Sequence, residues 1–157
     1  MLVLKEKSLV CLKINGEARE VFIRPSEILL DTLREQLGLT GAKPGCLNGD
    51  CGSCTVLLDG QPVKSCLMLT AEALGKEITT VEGLRNTPIQ RAFIEKFAFQ
   101  CGYCTSGFLM TCHALAQLSP TPTDADIDHW LESNICRCTC YAEIGDAVRA
   151  VLSGEIG

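Results

Sequence analysis

Residues 45–60 read GCLNGDCGSCTVLLDG, and Cys66 follows shortly after. Cys46, Cys51 and Cys54 have the spacing C-x4-C-x2-C, and eleven residues then lead to Cys66. Three thiols on one short loop can converge only if the chain curls tightly. Gly45, Gly49 and Gly52 are placed to allow that. A curled chain turns backbone N–H groups inward, where they can serve an anion without any side chain of their own. Beyond the loop, 55–58 reads as a strand, Asp59-Gly60 as a hairpin turn and 63–68 as the returning strand. The fourth cysteine is therefore expected on a strand beside the loop. Gly41 and Lys43, just ahead of it, read as ordinary turn residues.

The three-plus-one spacing is that of plant-type ferredoxins, which bind a [2Fe–2S] cluster. Such a cluster with four thiolates is flat and carries roughly −2 when oxidised, a charge that suits inward N–H groups. A structural zinc ion prefers close cysteine pairs on separate knuckles, which this loop does not offer.

Upstream of the loop, 8–14 (SLVCLKI) and 17–23 (EAREVFI) read as strands around an Asn15-Gly16 hairpin turn. A helix is expected over 28–37, with Leu29, Leu30, Leu33 and Leu37 on one side and Gly38 at its end. A last short strand is expected over 77–81. Strand signals then stop, and four helical patterns follow. The first spans 88–98, with Ile89, Phe93, Ile94 and Phe97 at helical spacing. The others span 106–118, 123–132 and 141–152, the third opened by an N-cap Thr123 and acidic residues. The fold class is α+β. A mixed sheet with one helix across it forms one domain (1–80), and a small helical bundle forms a second (81–157). No Gly/Ser-rich linker separates them, so the two are expected to pack together.

The second half holds its own cysteines: Cys101 and Cys104 as CxxC, and Cys136 and Cys138 as CxC. Each pair falls at the start of an expected helix, whose free N–H groups and dipole favour thiolates. Spacing alone leaves zinc, a cluster and a redox pair all open.

Composition narrows the classes. The chain has 157 residues, a net charge of −5 and eleven cysteines. An acidic chain is a poor partner for nucleic acid. No apolar run reaches the length of a bilayer span, and 1–7 (MLVLKEK) does not read as a secretory signal. A disulfide framework belongs to exported chains and usually has an even cysteine count, and bridging Cys136 to Cys138 would strain the bond. A reduced, cytoplasmic metal protein is expected.

Three motifs in order, GCLNGDCGSCTVLLDG (45–60), QCGYCTSG (100–107) and NICRCTCY (134–141), resemble the small iron–sulfur subunit of the xanthine oxidase family of molybdenum hydroxylases. The resemblance runs from about residue 8 to residue 152. It implies a ferredoxin-like, β-grasp N-terminal domain and a four-helix C-terminal domain, each with one [2Fe–2S] cluster. The first cluster's ligands would be Cys46, Cys51, Cys54 and Cys66, and the second's Cys101, Cys104, Cys136 and Cys138. It implies a large partner subunit with a molybdenum–pterin cofactor, and commonly a medium FAD-binding subunit. Electrons would pass from molybdenum through the helical-domain cluster, then the ferredoxin-like one, toward FAD. Gln100 and Cys138 match the positions that approach the pterin. The bland alternative for Gln100 is an exposed polar cap.

Two positions depart from the family's pattern. Ser106 stands where proline is usual, and Cys140 where glycine is usual. Cys140 is expected to be a small buried thiol, although its alternation with Cys136 and Cys138 makes it a rival ligand. Cys11 and Cys112 are expected in the core, as is Trp130. His113 and His129 read as surface or capping residues. No dinucleotide-binding glycine fingerprint occurs, so FAD is not expected on this chain. Three functions remain to be separated. They are an electron-transfer subunit of a multi-chain molybdenum hydroxylase, a free-standing two-cluster ferredoxin, and a zinc-stapled interaction module. No residue set points to substrate chemistry, so the substrate is fixed on another chain.

Overall fold

The hairpin dipeptides behave as their chemistry requires. In the computed structural model, which describes residues 6–119 and 121–157, Asn15-Gly16 and Asp59-Gly60 all have positive φ. These are the backbone conformations of tight turns matched to strand twist. The first joins β1 (Ser8–Ile14) to β2 (Glu17–Ile23), and the second joins β3 (Thr55–Leu58) to β4 (Gln61–Lys64). With β5 (Glu77–Thr79) they form one mixed sheet in the order β2-β1-β5-β3-β4. β1 and β5 are parallel, and the other neighbours are antiparallel.

Alternation in β1 and β2 buries Leu12, Ile14, Val21 and Ile23 against α1 (Leu29–Asp31) and the π-turn Thr32–Gln36 that continues it. The regular helix expected over 28–37 is thus only one α-turn long. The buried Thr32 hydroxyl is tied to that of Thr70 at 2.7 Å, and Leu37 N–H reaches back five residues to the Thr32 carbonyl. Cys11 corrects the expectation of a core position. It lies between inward-facing residues, pairs across the ladder with Glu20 and is exposed.

The fourth cysteine also differs from expectation. β4 ends at Lys64, and Cys66 lies on a 3-10 turn, Ser65–Leu67. The Ser65 N–H and hydroxyl both donate to the Cys54 carbonyl, at 3.4 and 2.7 Å. Those two bonds end the ladder and bring Cys66 beside Cys54.

Helices fill the second half: α2 (Pro88–Glu95), α3 (Thr105–Leu118), α4 (Asp124–Leu131) and α5 (Tyr141–Leu152). Thr123 caps α4 reciprocally with Asp126, an arrangement worth about 1 kcal/mol. α2 stops earlier than its apolar spacing suggests. Phe97 takes φ 55°, Ala98 N–H bonds back to the Phe93 carbonyl, and Ile94 and Phe97 are left exposed. α3 is apolar almost all round, as befits a helix covered on every side. It packs against the other helices and also against the sheet, so that Leu57 of β3 belongs to the helical core. Trp130 is partly buried against that core, and Cys112 is fully buried in it. No described helix is long and apolar enough to cross a membrane.

Candidate metal centres

Loop 45–54 curls as its glycines allow. Leu47, Gly49 and Gly52 all have positive φ, and a Cβ on Gly45 would lie 2.5 Å from the Cys51 sulfur. Backbone N–H groups turn inward. That of Cys51 lies 3.3 Å from Cys46 Sγ, with those of Asn48 and Asp50 also directed at this sulfur, and that of Gly49 serves Cys66. The Cys51 amide, followed by that of Asn48, brings the Cys46 thiol down to about 7 from an ordinary 9.0. Burial, with the neighbouring Cys54 thiol, pushes Cys66 up to about 11.

The thiols act on one another as two couples, Cys46 with Cys51 and Cys54 with Cys66. Two iron atoms with two thiolates each need that arrangement. The donor set, the inward amides and the positive-φ loop therefore fit a [2Fe–2S] cluster.

The second centre is gathered likewise. Cys101 is within reach of Cys138, and Cys104 of Cys136. Cys104 is the N-cap residue of α3. Burial, with the Cys136 thiol against it, raises Cys104 to about 12. Burial opposes ionisation of Cys136 as well, but hydrogen bonds from the Cys140 amide, Cys104 and the Cys138 amide outweigh it and hold this thiol below its ordinary value. Exposed Cys101 is also lowered, first by the Tyr103 amide and then by the Cys138 thiol.

Cys140 is 2% exposed, caps α5 and packs in the helical core. Burial, and then the charge of Cys136, push its own thiol up, and its S–H is directed at Cys136. It supports a member of the quartet from behind. Gln100 is exposed and donates from Nε2 to the Cys138 carbonyl at 3.2 Å, which joins the two positions matched to pterin contact on one surface. His113 is half-buried in mid α3, where burial lowers its pKa, so it is neither a surface residue nor a cap. His129 is exposed.

Between the centres runs a polar seam that sequence reasoning missed. Ile135 N–H donates to the Cys51 carbonyl at 3.0 Å. Asn134, 2% exposed, donates from Nδ2 to the Gly52 carbonyl at 3.0 Å and accepts from the Thr111 and Ser133 hydroxyls. A Cβ on Gly107 would lie 2.2 Å from the Gly52 carbonyl oxygen, so α3 and the loop meet backbone to backbone. Lys64 Nζ reaches the Ser133 carbonyl at 2.7 Å, and the Tyr103 hydroxyl donates to the Pro44 carbonyl at 3.3 Å. The one available signal was that Asn134 and Ile135 directly precede Cys136.

Comparison with known proteins shows the family. A family model described as "2Fe-2S iron-sulfur cluster binding domain" matches residues 28–98, and one described as "[2Fe-2S] binding domain" matches 80–149. The nicotinate dehydrogenase small FeS subunit of Eubacterium barkeri is 45% identical, over 91% of this chain and 94% of its own. The nicotine 6-hydroxylase small subunit of Paenarthrobacter nicotinovorans is 45% identical, over 92% and 89%. The chain belongs to the small iron–sulfur subunits of the molybdenum hydroxylases. As a member of that family it carries two [2Fe–2S] clusters and passes electrons within an oxidoreductase complex, which excludes the zinc module. Quinoline 2-oxidoreductase from Pseudomonas putida superposes with a TM-score of 0.89, at 40% identity and 96% of both chains. Aldehyde oxidoreductase from Desulfovibrio desulfuricans gives 0.87 at 40% identity, over 94% of this chain but 17% of that longer one.

Proposed function

We propose that Cys46, Cys51, Cys54 and Cys66 hold the first [2Fe–2S] cluster and Cys101, Cys104, Cys136 and Cys138 the second. Electrons arrive at the face formed by Gln100 and Cys138 and leave at loop 45–54. The observation that carries this reading is the Ile135 N–H···O=C bond to Cys51. Cys51 belongs to the first quartet, and Ile135 is covalently joined to Cys136 of the second. One hydrogen bond therefore completes a chain of bonds between the two quartets.

When bound, each cluster takes up and releases a single electron. The protein supplies the rest. Inward amides of residues 48–51 lie where added negative charge would fall and need no rearrangement to meet it. Asn134 and the Gly52–Gly107 contact hold the quartets at fixed separation.

The inlet faces a large molybdenum-binding subunit, where Gln100 and Cys138 contact the pterin. The tie from Gln100 to the Cys138 carbonyl supports this by presenting both at one exposed place. The outlet serves a medium FAD-binding subunit. The two folding units are residues 1–80, of β-grasp type with α1 across the mixed sheet, and 81–157, a four-helix bundle of α2–α5. A reduced, cytoplasmic setting suits a chain in which eight of the eleven cysteines serve as cluster ligands.

The inlet assignment is tested in the assembled complex. Gln100→Ala should slow substrate-driven reduction of both clusters while leaving their dithionite-reduced EPR spectra unchanged. Unaltered substrate-driven reduction would remove Gln100 from the path.

A further inference from the structure

Lys64 closes β4 opposite Thr55 and is half-buried at the seam. Its Nζ donates to the Ser133 carbonyl at 2.7 Å and to Thr55 Oγ1 at 3.2 Å, both neutral oxygens. Among the described residues no carboxylate lies within 4.0 Å of it. A partly desolvated ammonium without a counter-charge is costly, and natural structures usually pair one. Lys64 stands two residues before Cys66, and its bond to Thr55, the neighbour of Cys54, sets the ammonium on the side of the first quartet. Two hydrogen bonds from separate elements hold the ammonium in place, so its charge is fixed relative to that quartet.

We propose that Lys64 is a positioning charge that raises the reduction potential of the first cluster and so gives electron flow its direction. This rests on the reading of Cys46, Cys51, Cys54 and Cys66 as ligands. Reduction adds one negative charge to a group already near −2, and a fixed positive charge favours the reduced form over the oxidised one. The cation stands beside the outlet quartet, so it draws the electron toward the outlet.

The test is an EPR-monitored redox titration of the assembled complex carrying Lys64→Met, Lys64→Gln or Lys64→Arg. Cys54→Ser identifies which of the two signals belongs to the first cluster. If Cys54→Ser alters neither signal, the ligand reading itself fails. With that reading intact, Lys64→Met and Lys64→Gln should lower the first cluster's midpoint. The expected size is a shift of about tenfold in electron partition between the clusters, about 59 mV for one electron. The second midpoint should hold, and Lys64→Arg should stay near wild type. Unchanged midpoints in both neutral variants, or equal shifts of both clusters, would overturn the proposal. So would loss of the first cluster from both neutral variants while Lys64→Arg retains it, since Lys64 would then be a structural residue.

Discussion

Cys140 replaces a glycine in an otherwise familiar motif and puts three cysteines at alternate positions. Its thiol is buried and raised, and it leans on Cys136 as a hydrogen-bond donor. Cys140→Ala should therefore keep the second cluster's EPR signal at full intensity, with at most a modest change in its potential from the lost donor. Disappearance of the signal would make Cys140 a ligand. Acid–base behaviour separates the other cysteines. In the metal-free chain Cys46 loses its proton near pH 7, two units below its ordinary 9.0, whereas Cys66 waits until about 11 and Cys104 until about 12. The thiolate is the reactive form. Iodoacetamide labelling followed by mass spectrometry should thus find Cys46 modified first at about pH 8, its rate rising through pH 7, with Cys66 and Cys104 protected. In linkage terms a lowered thiol favours the folded state above pH 9 and loses that contribution as pH falls through about 7. The raised thiols contribute below pH 9 and lose their contribution as pH rises through about 11 and about 12.

The elements that local chemistry dictates were legible in the sequence. Asn15-Gly16 and Asp59-Gly60 announce their hairpins because positive φ is a property of those two residues themselves. α5 runs over Tyr141–Leu152 as its apolar stripe implies. Elements shaped by distant partners were not legible. The turn that carries Cys66 exists because Ser65 bonds to Cys54. Loop 45–54 is sensitive to substitution. Gly52 has φ 70°, and a Cβ there would meet Asn134 Nδ2 at 2.3 Å and the Ser133 carbonyl oxygen at 2.6 Å. Gly52→Ala should cost about 2–4 kcal/mol from overpacking and left-handed strain together. Thermal unfolding of the loaded protein should show it as a lower Tm, and an unchanged Tm would mean that the seam is slack.

At the scale of the molecule, the first cysteine set was legible from the spacing of one loop, whereas the second, whose CxxC and CxC stand apart in the sequence, was assigned only through the family resemblance. Their connection was not legible. Asn134 and Gly52 lie 82 residues apart, and nothing in a polar Asn before CxC marks it as the residue that joins two cores. The same holds for Lys64 and Ser133, and for α3, whose all-round apolar surface reflects a sheet on one side and helices on the others. On the proposed reading that seam joins the two cofactor sites, with the inlet at Gln100 and Cys138 and the outlet at the curled loop. The most direct test is quantitative EPR of the fully reduced complex with iron and sulfide analysis. Two distinct [2Fe–2S] signals of equal intensity are predicted, with Cys46→Ser altering only one and Cys138→Ser only the other. A single signal, or one substitution altering both, would contradict the account.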